Sequence, residues 1–130
     1  MQEINQLTER IIGLAIEVHK HLGPGLSEAA YERALCIEFS GAGLPYHKQV
    51  GLPVLYKGEV VAEHRPDLVV ANRVVVEVKS VERLARVHTA QMITYLQVTG
   101  LQVGLVMNFN SATLLEGLKR VVLQRGEKTL

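Results

Sequence analysis

Pro66-Asp67 and Glu77-Val78-Lys79 are the residues of this chain whose types and spacing point to chemistry. Glu77 and Lys79 stand two apart in a run of valines, so on a strand they share one face. A carboxylate and an ammonium there are costly to bury unless they pair with each other or bind a metal. A structural ion pair at the strand's end would be one resolution, and Asp67 suggests another. It precedes the same strand across the Ala71-Asn72 turn, and register decides whether it can join. A two-residue loop sets Asp67 opposite Val76, on the wrong face. A three-residue loop, Ala71-Asn72-Arg73, sets it opposite Glu77 with Cβ atoms about 5 Å apart. Asn72 suits the left-handed conformation such a loop needs. The expectation is therefore the three-residue loop, or a bulge near Pro66 with the same effect.

Two facing carboxylates repel, and each raises the other's pKa unless a cation lies between them. Mg²⁺ or Mn²⁺ fits that role, since both are hard ions that favour oxygen ligands and keep several waters. Lys79, beside them, is placed to hold or polarise an attacking water, and the metal would stabilise charge developing on a phosphate oxygen. This is the chemistry of phosphodiester hydrolysis.

The elements that must position these groups follow from hydrophobic period. Leu7, Ile11, Leu14, Val18 and Leu22 form a helical stripe, with Asn5 or Thr8 as candidate caps and His21-Leu22-Gly23-Pro24-Gly25 as its end. Ser27 caps a second helix over about 28–41, with Glu28 at its beginning and Gly41 and Gly43 at its close. From Leu44 the period becomes extended. Turn signals at Lys57-Gly58 and Ala71-Asn72 predict three antiparallel strands, at about 46–56, 59–70 and 73–79, the third central and buried on both faces. A helix follows over about 84–99, with Leu84, Val87, Ala90, Ile93 or Met92, and Leu96 inward and Gly100 at its end. Strands over 101–107 and 117–123 complete the order ααβββαββ. The fold class is α/β, a mixed sheet flanked by helices, with a right-handed parallel crossover spanning 74–107.

At 130 residues and 48% apolar content, the chain is expected to form one domain, 1–130, with a core that needs no staples. A net charge of +1 with both signs interspersed excludes an arm that coats nucleic acid by bulk charge. Cys36 has no cysteine partner and lies in an apolar stretch. The acidic N-terminus argues against a signal peptide, and no apolar run approaches the ~20 residues that span a bilayer. No membrane partner is expected, and a soluble cytoplasmic protein is the default.

Asp67 followed by Glu77-Val78-Lys79, with Pro66 in front, resembles the D-(x)n-(D/E)xK signature of the PD-(D/E)xK nuclease superfamily. Gly25-Leu26-Ser27-Glu28-Ala29-Ala30-Tyr31 is similar to the GxxExxY pattern of a small bacterial and archaeal family within it. Val18-His19, Leu22-Gly23-Pro24-Gly25, Ala34-Leu35, Gln91 with Tyr95, Gly104-Leu105, Asn108-Phe109 and Leu118-Lys119-Arg120 extend the likeness over almost the whole chain. The resemblance implies a restriction-endonuclease-like fold. It assigns Glu28, Asp67 and Glu77 to metal binding and Lys79 to catalysis, with Gln91 orienting the lysine or touching the substrate backbone. The function implied is a divalent-metal-dependent nuclease acting on DNA or RNA through backbone contacts. The alternative is a module of the same fold that binds nucleic acid or a protein without cleaving. Small nucleases of this fold often dimerise or serve larger complexes, so a homodimer or host complex fits either reading.

Tyr31 lies three residues after Glu28 and shares its face, as a support for that carboxylate or as a core tyrosine. Gln91 and Tyr95, with His88 a turn earlier, form either a functional stripe or the polar edge of a helix. His19, His21, His47 and His64 lack zinc-ligand spacing. Arg65, Arg73, Arg83, Arg86 and Lys119-Arg120 are the cations expected to ring the site if a nucleic acid binds. The segment from Leu22 to Leu26 is a turn, since it lacks the phosphate-loop pattern.

Overall fold

The computed structural model describes residues 2–124. Helix α1 (Gln2–Leu22) buries Ile4, Thr8, Ile11, Ala15 and Val18, four and three residues apart in turn. This stripe is rotated from the expected one: Leu7 and Leu14 flank it half-buried, and Leu22 is exposed. The helix also begins ahead of both candidate caps. Thr8 is instead an interior residue whose Oγ1 donates to Asn5 O at 3.0 Å. Gly23, at φ +69°, closes the helix as its N–H bonds His19 O at 2.8 Å. Helix α2 (Glu28–Gly41) starts as expected, with Ser27 Oγ accepting the Ala30 N–H at 3.2 Å.

The two long strands expected before residue 73 are each broken. Their residues form β1 (Tyr46–Lys48), β2 (Leu52–Tyr56), β3 (Glu59–His64) and β4 (Leu68–Val70). Gln49 at φ +53° and the following Gly51 leave the extended path, and Pro66 cannot donate to a ladder. As a result β2 and β3 pair only with each other, as a ribbon, while β1 and β4 pair antiparallel within the main sheet.

That sheet has five strands in the order β1-β4-β5-β6-β7, with β5 (Val74–Lys79), β6 (Val103–Asn108) and β7 (Leu118–Val122). β5 is antiparallel to β4 and parallel to β6, so the sheet is mixed. Helix α3 (Arg86–Thr99) connects the parallel pair, and a short 3-10 helix (Leu115–Gly117) precedes β7. The order therefore carries two more strands before α3 than expected.

Both faces of β5 are covered. Val74, Val76 and Val78 pack with α1 and α2 around Tyr31, Leu35, Phe39 and Phe109. Val75 packs with Val106 and Val121 under Met92, Tyr95 and Leu96 of α3. At roughly 1.5–3 kcal/mol for each fully buried aliphatic side chain, this double burial holds β5 firmly in the sheet. The inner face of α3 differs from expectation in Val87 and Ala90, which are exposed, and in Tyr95, which is buried. Gly104 on β6 lets α3 approach closely, because a Cβ there would collide with the Met92 side chain. Among the described residues, no helix is long and apolar enough to cross a membrane.

Candidate active site

The register across the β4–β5 turn pairs Val70 with Val74, Val69 with Val75 and Leu68 with Val76. The loop is therefore Ala71-Asn72-Arg73. Ala71 and Asn72 both lie in the left-handed region, at φ +54° and +55°, and Arg73 N–H closes on Val70 O at 3.0 Å. One further step along the ladder brings Asp67 to Glu77. The two residues are then locked crosswise by backbone amides. The Asp67 N–H donates to Glu77 Oε1 at 2.7 Å, and the Val78 N–H donates to Asp67 Oδ2 at 2.7 Å.

Glu77 is 6% exposed, on the face of β5 that α3 covers. Burial, with the Asp67 charge next, pushes its carboxyl from an ordinary 4.5 up to about 7. Asp67 is also raised, chiefly by burial, although the Val78 N–H and the Lys79 charge pull the other way. Lys79 Nζ stands 3.8 Å from Glu77 Oε2, and the Tyr95 hydroxyl donates to the same oxygen at 3.4 Å. Burial first, and the Glu77 charge second, push the Tyr95 hydroxyl well above its ordinary pKa, so it remains a donor.

Glu28 enters from the other side of the sheet, at the start of α2. Its Oε2 accepts the Ser80 N–H at 3.1 Å, and its charge contributes to raising Asp67. Glu28, Asp67, Glu77 and Lys79 are thus brought to one end of the central strand. Gln91 lies half-buried one turn before Tyr95, and its side-chain amide makes no hydrogen bond to another described residue. Tyr31 makes no hydrogen bond to the Glu28 carboxylate. Its buried hydroxyl donates to Gly23 O and accepts the Leu26 N–H at 3.1 Å, while its ring stacks on Phe109 at 4.6 Å.

Three further residues bear on the site. Glu32, one turn after Glu28, has its carboxyl raised by burial and then by the Asp67 charge. Its spacing of four from Glu28 was the available signal. Asn108 lies opposite Lys79 in the β5–β6 register and holds Val81, accepting its N–H at 3.0 Å and donating to its carbonyl at 2.9 Å. An asparagine ending an otherwise apolar strand was the clue. Ser80 gave no signal beyond its place after Lys79.

The cations divide. Arg65 adjoins Pro66-Asp67 and bonds Glu63 at 2.9 Å, while Arg83, between β5 and α3, and Arg86, the first residue of α3, are exposed. Arg73 sits at the far end of β5, 3.8 Å from Glu3, and Arg120 donates to Asn5 at 2.7 Å, so neither flanks the acidic cluster. His88 caps α3 by accepting the Ala85 N–H at 2.9 Å, and His64 packs edge-on against Tyr95 at 5.9 Å.

As the side chains stand, no group of three or more His, Cys, Asp or Glu among the described residues encloses a metal position. The donor chemistry nevertheless fits a hard divalent cation. Glu28, Asp67 and Glu77 each give one oxygen to a backbone amide, which fixes the carboxylates near one another, and their mutual repulsion calls for a positive charge.

A mixed sheet flanked by helices, with acids and a lysine converging at the end of its central strand, defines a nuclease-like α/β fold. The chain belongs to the PD-(D/E)XK nuclease superfamily, whose family model matches residues 5–121. Nucleases of this superfamily generally use divalent metals. Comparison with curated proteins and with solved structures returned no match.

Proposed function

We propose that this chain is a divalent-metal-dependent nuclease that hydrolyses phosphodiester bonds of DNA or RNA, folded as one domain and placed in the GxxExxY group of its superfamily. The observation that carries this reading is the crosswise lock of Asp67 and Glu77 beside Lys79. Two acids are held together in a buried setting where one is raised to about 7, an arrangement that a structural ion pair does not need.

Asp67 and Glu77, with Glu28, would hold Mg²⁺ or Mn²⁺, which when bound offsets their charges and stabilises negative charge on a phosphate oxygen. Lys79 orients the attacking water and keeps a positive charge beside the reacting phosphate. Tyr95 fixes the Glu77 carboxylate through its hydroxyl. Gln91, whose amide has no hydrogen-bond partner among the described residues and which lies on the same helical face as Tyr95, contacts the substrate backbone. Arg65, Arg83 and Arg86 supply phosphate contacts around the acidic cluster.

Incubation with linear and circular, single- and double-stranded DNA and with RNA, in Mn²⁺ or EDTA, tests this directly. Mn²⁺-dependent cleavage should disappear in Asp67→Ala and Lys79→Ala. Absence of cleavage on every substrate, with the variants indistinguishable from the parent, would sink the reading. The near-neutral net charge of +1 favours a second reading, a module that binds nucleic acid or a protein partner without cleaving. Such a module would keep its ligand after Lys79→Ala. Either reading accommodates a homodimer or a larger complex that supplies additional contacts.

A further inference from the structure

Glu28 is an exposed carboxylate in the first turn of a helix, close enough to Asp67 that their charges interact. Repulsion from Asp67 and Glu77 would turn such a side chain out to solvent unless something held it. Two hydrogen bonds from Ser80 bear on this. The Ser80 N–H donates to Glu28 Oε2 at 3.1 Å, and Ser80 Oγ donates to Leu26 O at 2.7 Å. Leu26 is itself fastened, because its N–H donates to the Tyr31 hydroxyl at 3.1 Å and that hydroxyl donates on to Gly23 O.

The anchors at both ends of this chain of bonds are rigid. Tyr31 is fully buried, with its ring stacked on Phe109. On the strand side, Asn108 grips the next residue, Val81, through both its N–H and its carbonyl. Between the anchors, Gly23 and Gly25 adopt φ +69° and +103°, which lets the loop fold back over the tyrosine hydroxyl.

We propose that Ser80 and Tyr31 are positioning residues: together they clamp the Gly23–Ser27 loop to the end of β5 and so hold Glu28 at the acidic pair. The role of the clamp in metal binding rests on the reading of that pair as a divalent-metal site. Tyr31 acts through the backbone of Leu26, and Ser80 acts both on that backbone and on the carboxylate itself.

Mn²⁺ titration by calorimetry tests the clamp on the parent, Glu28→Ala, Ser80→Ala, Ser80→Thr, Tyr31→Phe and the Glu28→Ala/Ser80→Ala double variant. Ser80→Ala should weaken Mn²⁺ roughly tenfold, the size usual for a group supporting a ligand, and Glu28→Ala, which removes the supported carboxylate itself, at least as much. The double variant should bind no more weakly than Glu28→Ala alone, and Ser80→Thr should retain parental affinity. Losses that add in full, or an unchanged affinity in Ser80→Ala, would overturn the proposal. Amide exchange gives a readout that does not depend on metal. In Tyr31→Phe and in Glu28→Ala the Ser80 N–H should exchange roughly tenfold faster, while the amides pairing β5 with β6 keep their protection. If the parent binds no Mn²⁺, the metal reading fails while the clamp is still decided by exchange. Unchanged Ser80 exchange in both variants would then overturn the clamp on its own.

Discussion

Glu77→Gln should stabilise the metal-free protein at alkaline pH and leave it unchanged in acid. The folded-state pKa of Glu77 lies at about 7, above its ordinary 4.5, because burial and the Asp67 charge oppose ionisation. Between those values the folded chain binds a proton that the unfolded chain has released. The stability this group contributes is therefore fully present below pH 4.5 and is lost as pH rises through about 7. At ~1.4 kcal/mol for each pH unit, the loss amounts to about 3 kcal/mol at pH 8. Gln keeps an oxygen for the Asp67 N–H and has no charge to bury, so it escapes that loss. With an unfolding entropy of ~2.1 cal/mol/K per residue, 130 residues convert about 3 kcal/mol into a rise of about 10 °C in Tm. Thermal melts of parent and variant in EDTA, from pH 4.5 to pH 8.5, measure the difference. A gap that fails to open with rising pH, or a variant less stable than the parent at pH 8, would refute the claim that Glu77 is held against its own ionisation.

Further perturbations probe the neighbouring groups. Lys79→Ala should abolish cleavage while changing Tm by no more than about 2 °C, since the lysine keeps some solvent access and leaves no apolar cavity; a collapsed fold would instead make it structural. Mn²⁺ affinity should rise about tenfold per pH unit between pH 5 and 7, as binding displaces one proton from the acidic pair, and pH-dependent calorimetry would reveal a flat profile if it does not. Gly104→Ala drives a methyl into Met92 and should cost about 1–3 kcal/mol in urea unfolding, with an unchanged slope.

The part of the site that was legible in the sequence lies where periodicity and turn chemistry act locally. Glu77 and Lys79 share a face because strands alternate, and the three-residue turn follows from what Asp67 must do to reach them. The mixed sheet flanked by helices could be read from the switch between helical and extended periods. What could not be read was set by contacts distant in sequence. The segments 46–56 and 59–70 look like continuous strands, yet Gln49 and Pro66 divide each between two sheets. No local pattern says that β1 should leave β2 and pair with β4. The first helix was expected, but it begins ahead of both candidate caps and its inward stripe is rotated, because alanine and threonine can be buried as readily as leucine when two helices pack closely. Tyr31 shows the same limit. Its position one turn after Glu28 left open a support for that carboxylate or a core tyrosine, and the ring is fully buried with its hydroxyl taken up by the Gly23 and Leu26 backbone groups folded over it.

The energetics of β5 bear on why an acid stands at position 77. Its neighbours in the strand up to Val78 are all buried valines, and both faces lie under helices. A further valine at 77 would add buried apolar area and avoid about 3 kcal/mol of unfavourable ionisation near neutral pH. For a domain whose total stability is of order 5–15 kcal/mol, that is a large sacrifice. The chain also supplies backbone donors aimed at both acids, from Asp67 and Val78, and a tyrosine hydroxyl from α3. Destabilising groups supported so specifically are the mark of a site rather than of a core. The same reasoning separates Glu77 from Lys79. The lysine ends the strand and reaches solvent, so its presence costs little and taken alone would argue for nothing. The buried glutamate gives the pair its meaning, and Glu77→Val should therefore yield a more stable protein that neither binds Mn²⁺ nor cleaves. A Glu77→Val variant that is less stable than the parent at pH 8 would show that the acid belongs to the core's own polar network.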